Sequence, residues 1–532
     1  MLPQSTMWEL LACMMIANRR CILEMPKRMY LVAAVTLATC CAALWAQDTT
    51  EPGPKPPKGA PEYEAAPRPT DGANMALTVE KLTKGFDPPR PLVIWSIGCS
   101  FTLCQGDGDQ RQLEHAVLID GIRQRFPNAP QIVYKKMTGG STPYGLTRGW
   151  ARHLVIPDQP DVVLIYNFGS TAELEKLIVE LRMHTTADII VPTLHWCKGH
   201  PWPDPEARNR HFDPISLREV CDRHGVEFVD NRRELTEYML ANGLEIEDLL
   251  YDDVHQTPYT AKMINANIAR HFSRATRPAY DPRSRERRIE AETPSPALSR
   301  SDDWSIGKDG QALVASGKWL RLKGPPQDVL VDAGTQSSIE VQFTGTRIDL
   351  IGWRDPQGGS VSVMIDGKPA QEAPGYYATY VRPAPNNSWA TVSNLGDCAP
   401  HGVALGEKIV PQQWTISITS DKGDYELVGS AAGFDGKGNA FKQFASQSGQ
   451  IIIEPDLWRN AKHMQTGDRF TFEVYRCAQG QIDFAGPAEK FRSRLVENLP
   501  PGQHTLRLET RGGDRVIIDA FDVFEPPEKA LK

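Results

Sequence analysis

Pro91-Leu92-Val93-Ile94-Trp95-Ser96-Ile97-Gly98-Cys99-Ser100-Phe101-Thr102 decides how this chain is read. Residues 92–97 form a short apolar, β-branched run, the pattern of a buried strand, and the small residues after it mark a tight exit turn. Over 112–126, Leu113, Ala116, Val117, Ile119 and Ile122 then recur at near-helical spacing. Ser100 therefore falls in a strand-to-helix connection, where open α/β sheets place their ligands. A serine in that position is equally well explained as a helix cap or a turn residue.

Working outward, apolar runs at 92–97, 131–134, 162–166, 189–191 and 227–229 are separated by helical segments such as 172–183 and 213–224. Strand and helix alternating with short connections predict a three-layer α/β sandwich with a parallel sheet over residues 85–275. From 301 to 526 the texture changes to short β runs bounded by Gly, Pro, Asn and Asp, with Asp366-Gly367 and Pro501-Gly502 as hairpin signals. That region reads as an all-β, jelly-roll-like sandwich. Its interval from about 370 to 490 is either a large insertion or a second β unit. Trp304, Trp319, Trp353, Trp389, Trp414 and Trp458 are expected to be core residues of this region. Residues 47–84, Pro-rich at their start, and 276–300, with the cluster Arg283-Ser-Arg-Glu-Arg-Arg288, read as solvated linkers.

A chain of 532 residues, 40% hydrophobic and 23% charged, is long enough for two or three domains with real cores. Its net charge of -7 implies no basic face and excludes a nucleic-acid binder. Residues 1–46 read as a leader. Pro26-Lys27-Arg28, the apolar run 29–45 and Ala46-Gln47 have the form of a secretory signal peptide, which predicts a secreted or periplasmic protein with no stable membrane span after cleavage. Leu37-Ala-Thr-Cys40 also approximates a lipoprotein box, a second address that would anchor the chain at Cys40, and Met25 is an alternative start. Beyond the leader remain Cys99, Cys104, Cys197, Cys221, Cys398 and Cys477, with Cys398 and Cys477 the first pair to test for a disulfide. No zinc spacing is present, and neither metal nor organic cofactor is expected.

Far downstream stands Asp252-Asp253-Val254-His255. An Asp three residues before a His can accept from one imidazole nitrogen and leave the other facing a nucleophile, and a serine hydroxyl needs such a base. Between the two halves lie Gly139-Gly140, after the second strand, and Asn167-Phe168-Gly169-Ser170, after the third. A glycine amide and an asparagine there could bind an oxyanion, although each alone is an ordinary strand exit.

In this order, the four features resemble the SGNH, or GDSL-like, hydrolase superfamily over about residues 90–275. The resemblance implies a serine ester hydrolase in which Ser100 is the nucleophile, His255 the base and Asp252 its orienting acid, with Ser100, Gly140 and Asn167 supplying the oxyanion hole. Two departures are visible. The family's Gly-Asp-Ser is Gly98-Cys99-Ser100 here, which makes Cys99 a rival nucleophile. The family's Gly-x-Asn-Asp is Gly169-Ser170-Thr171-Ala172, so Asn167 is only a substitute for the missing asparagine.

The loop Thr193-Leu-His195-Trp196-Cys197-Lys-Gly-His200-Pro-Trp202 follows the fourth strand, and His195, Trp196 and Trp202 are expected to form a sugar-stacking wall or to pack on one another. The β region softly resembles the jelly-roll modules of exported glycan-active enzymes. The combination implies an exported esterase that removes acyl groups, chiefly acetyl, from an acylated polysaccharide or oligosaccharide. A lipid-directed esterase or lysophospholipase and a catalytically inactive glycan-binding protein are the alternatives.

Overall fold

The computed structural model describes residues 54–99, 111–138, 149–208, 212–290, 303–308, 311–316, 319–322, 329–332, 337–372, 377–381, 399–406, 409–458, 461–476, 480–511 and 515–528. Ser100, Gly140, Cys40 and the pair Cys398 and Cys477 lie outside them.

The α/β part is built on five parallel strands, β1 (Leu92–Gly98), β2 (Ile132–Thr138), β3 (Val162–Tyr166), β4 (Asp188–Pro192) and β5 (Glu227–Val229), in the order β2-β1-β3-β4-β5. β3 and β4 are buried along their whole length, which explains why they read as unbroken apolar runs. Helices α1 (Ala76–Lys84), α2 (Arg111–Arg125), α3 (Thr171–His184), α4 (Pro214–Arg223), α5 (Asn231–Asn242) and α6 (Pro258–His271) complete this part. α3 to α6 each start on a side chain that accepts a backbone N–H of the first turn: Ser170, Asp213, Asp230 and Thr257. The strand order reverses between β1 and β3, so the crevice of the sheet opens at their carboxyl ends.

The amino ends of the strands are closed by charge. Asp161, just before β3, is fully buried and accepts from Lys81 Nζ (2.9 Å), both terminal nitrogens of Arg90 (2.8 Å each) and the Val93 amide (2.9 Å). Desolvation opposes ionisation, but Lys81 and Arg90 outweigh it and hold the Asp161 carboxyl well below the usual range. Asp188, the first residue of β4, accepts from the Thr78 amide (2.9 Å) and hydroxyl (2.8 Å), from the Tyr280 hydroxyl and from Arg285 (2.8 Å).

Two stretches read as linkers are structured in part. Within 47–84, α1 buries Leu77, Val79 and Leu82, and its polar Thr78 and Lys81 are buried too because Asp188 and Asp161 satisfy them. Within 276–300, residues Glu286–Glu290 form a strand, β6, paired antiparallel with Val516–Phe524. The arginines there are ion-paired rather than merely solvated: Arg285 with Asp188, Arg287 with Glu525 (2.7 Å) and Arg288 with Asp522 (2.7 Å).

The C-terminal part is all-β. Two antiparallel sheets enclose one core that includes Phe343, Leu350, Val363, Leu506 and Phe521. One is centred on Arg347–Trp353 and Val516–Phe524, the other on Ser338–Thr344 and Gln503–Thr510. Ser338–Thr344 alternates between inward and outward residues, as a sheet with one solvated face requires. Tyr377–Tyr380, Arg469–Arg476, Gln412–Ile418, Asp424–Gly429 and Gly433–Asn439 form a separate antiparallel sheet set between strands of the sandwich. Its apolar residues join the α/β core rather than that of the sandwich. The contact turns on buried His153, whose Nε2 donates to the Pro400 carbonyl (3.1 Å) while Nδ1 accepts from Thr379 (3.1 Å), beside Phe470 and Phe472. Trp319, Trp414 and Trp458 are buried as expected. Among the described residues no helix is long and apolar enough to cross a membrane.

Replacing Asp161 by Ala takes from Arg90 its carboxylate partner and leaves Lys81 with Glu286 alone, a loss of about 3 to 5 kcal/mol of stability. Urea unfolding of Asp161→Ala against wild type checks this. Because the folded-state carboxyl is depressed, the difference is full above about pH 4 and shrinks as pH falls below it. A difference independent of pH down to about 2 would contradict the ionic account.

Candidate active site

At the carboxyl edge, β1 and β3 converge more closely than side chains normally allow. Gly98 has φ +146°, and a Cβ there would lie 2.3 Å from the Tyr166 carbonyl oxygen, so glycine is required for the Cys99 amide to reach that carbonyl (3.4 Å). Cys99 itself is 1% exposed and belongs to the core. Asn167, directly after β3, is 2% exposed, and its Oδ1 has no hydrogen-bond partner among the described residues. The unmet atom is an acceptor, whereas an oxyanion needs donors, so only the Nδ2 side of this amide suits that role.

Asp252 and His255 come together as the spacing suggested. Asp252 Oδ2 lies 2.8 Å from His255 Nδ1, and Oδ1 accepts the amides of Val254 (2.7 Å) and His255 (2.6 Å). Desolvation is the largest single influence and opposes ionisation, but the hydrogen bonds from the His255 ring and these amides together outweigh it and pull the Asp252 carboxyl down to about 2. An ionised Asp252 accepts, so Nδ1 carries the proton and Nε2 is the basic nitrogen. Asp253, exposed and paired with Lys198 (2.9 Å), takes no part in this arrangement.

In the loop after β4, His195 and Trp196 pack inward. His195 is buried, with Nε2 2.9 Å from the Val254 carbonyl, and burial pulls its imidazole down to about 4, so it is neutral near pH 7. Trp196 is 1% exposed and donates to Thr236 (3.0 Å), with its ring edge-on to Trp202 at 5.2 Å. Trp202 is half-buried against the same core.

Sequence reasoning missed Arg232. It is fully buried near the start of α5, its guanidinium lying 4.4 Å from the Trp196 ring centre and 4.0 Å from that of Phe212. It donates to the carbonyls of Leu194 and His195 (3.4 Å each). Desolvation draws it down to about 10, which leaves it charged at neutral pH. Asp230-Asn231-Arg232-Arg233-Glu234 looks like an ordinary polar helix start, so nothing in the pattern marks the one arginine that turns inward.

Among the described residues no group of three His, Cys, Asp or Glu side chains is placed to hold a metal ion. Cys197 and Cys221 are free and buried, and desolvation pushes the Cys197 thiol up to about 12 and that of Cys221 higher still. Peptide mapping after iodoacetamide treatment is expected to find both unmodified in native protein and modified in urea. Rapid native labelling of either would contradict this packing.

No protein-family model matches the chain, and no curated protein matches it in sequence. Among solved structures it is similar to a two-domain esterase active on acetylated mannans, co-crystallised with mannopentaose, at 10% identity and TM-score 0.31, covering 86% of this chain and 96% of that one. It is also similar to the acetylxylan esterase Axe2 from Geobacillus stearothermophilus, at 18% identity and TM-score 0.28 over 34% of this chain and 94% of that one. A third similar structure is LAE5, an alpha/beta hydrolase enzyme from the metagenome of Lake Arreo, Spain, at 19% identity and TM-score 0.27 over 34% and 94%. At these values the likenesses carry no argument about activity, which has to come from the chain's own residues.

Proposed function

We propose that this protein is an exported serine esterase of the SGNH type that removes acetyl groups from a carbohydrate. The observation that carries the reading is the Asp252–His255 pair, which leaves Nε2 as a base on a loop held against the loop after β4. In the proposed reaction, Ser100 Oγ attacks the ester carbonyl as His255 Nε2 takes its proton. The amides of Ser100 and Gly140, with Asn167, receive the oxyanion. Collapse expels the sugar hydroxyl, protonated by His255, and water then releases acetate by the same steps in reverse roles. Asp252 stays ionised throughout, which stabilises the imidazolium formed after each proton transfer. Export is inferred from residues 26–47, and the carbohydrate class from export together with the β region.

Hydrolysis of p-nitrophenyl acetate, p-nitrophenyl octanoate and acetylated xylan by residues 47–532 tests this. Ser100→Ala and His255→Ala are expected to lower kcat by about 10^4-fold or more, and Asp252→Asn by about 10^4-fold, with KM little changed. Acetate release from the glycan supports the carbohydrate assignment. Preference for octanoate would move the reading to lipid esters, and no turnover by folded protein would make the chain a binding protein.

A further inference from the structure

The loop that carries Asp252 and His255 is exposed along residues 251–254, yet a catalytic imidazole must be held to within a fraction of an ångström. Leu250 and Gln256 form an isolated bridge, and the Tyr251 amide donates to the His255 carbonyl (2.7 Å). The remaining described contacts come from the loop after β4. The Lys198 amide donates to the Asp253 carbonyl (2.9 Å), while His195 Nε2 and the Cys197 thiol both reach the Val254 carbonyl, at 2.9 and 3.5 Å.

The Val254 carbonyl and the His255 amide belong to one planar peptide unit, which moves as a rigid plate. Asp252 Oδ1 holds its N–H end at 2.6 Å, and His195 and Cys197 hold its carbonyl end. The His255 side chain leaves the backbone at the edge of that plate, so pinning both ends fixes where the ring starts. Asp252 Oδ2 then fixes how it turns.

We propose that His195 is a positioning residue for His255, acting through the Val254–His255 peptide, with Arg232 as the clamp that holds His195 in place. The proposal rests on the esterase reading above. A carbonyl only accepts, so the His195 proton sits on Nε2, and the buried, neutral ring keeps it there near pH 7. Arg232 Nη2 donates to the carbonyl of His195 itself, and its amide donates to Thr193 (2.8 Å) at the start of the same loop. Burying a cation against carbonyls and ring faces is costly, and a lysine or methionine would fill the site without the forked donor set. Fixing the loop on which the base depends gives that cost a purpose.

The test compares His195→Phe, which keeps a flat ring without a donor, with His195→Gln, which restores an N–H at similar reach. Both are made in residues 47–532 and assayed on p-nitrophenyl acetate beside His255→Ala. His195→Phe is expected to lower kcat about 10- to 100-fold with KM within about twofold, and His195→Gln to recover most of it. Where His195→Phe does not fold, Cys197→Ala and Cys197→Ser make the same comparison at the second donor, with loss expected only in Cys197→Ala. Wild-type kcat in His195→Phe, or equal loss in the Phe and Gln variants, overturns the proposal while the esterase reading stands. Turnover that survives His255→Ala overturns the esterase reading, and the proposal with it.

Discussion

The buried carboxylates Asp161 and Asp188 are the constraint on which the rest of the structure depends. Each sits at the amino end of a central strand with almost no contact with water, and each is satisfied by groups from distant parts of the chain. Asp161 ties α1, the start of β1 and β3 together, while Lys81 passes the connection to Glu286 of β6 and so to the sandwich (2.8 Å). A carboxylate removed from water is tolerable only when its lone pairs are all used, so these sites specify one register and one docking of the domains. The insertion is attached by different means: it shares an apolar core with the α/β part and is located by the neutral His153.

With the amino edge closed by charge, the opposite edge is where the parallel sheet leaves its loops to do chemistry. There the polar contacts follow a hierarchy. Asp252 sets the ring of His255, the loop after β4 holds the backbone of that pair, and Arg232 holds the loop. Surroundings set the ionisation of Asp252, through its hydrogen bonds, and of His195, through burial, while Arg232 stays charged by its intrinsic basicity in spite of burial.

Much of this was legible in the chain itself. The five strands follow from apolar runs because a parallel sheet covered on both faces has no polar alternation to disguise it. The Asp252–His255 contact was legible because three residues on one tight turn leave few other geometries. What escaped was whatever used charge as structure. α1 buries Lys81 and Thr78 alongside its leucines, and β6, Glu-Arg-Arg-Ile-Glu, has one apolar residue and looks like a solvated hinge. For His195 and Trp196 the sequence left a ligand wall and self-packing open, because a buried His and Trp cannot be told from exposed ones by composition. Arg232 escaped for the same reason in reverse, a charged residue in a position where solvent exposure is the rule.

Covalent labelling shows whether His255 activates one serine, Ser100. A serine-directed fluorophosphonate reacts only with a hydroxyl whose proton is removed by a neighbouring base. Intact-mass and peptide analysis after labelling should find one adduct, on Ser100, abolished in His255→Ala and strongly slowed in Asp252→Asn. An adduct on another residue, or one on Ser100 that forms equally well without His255, would contradict the account.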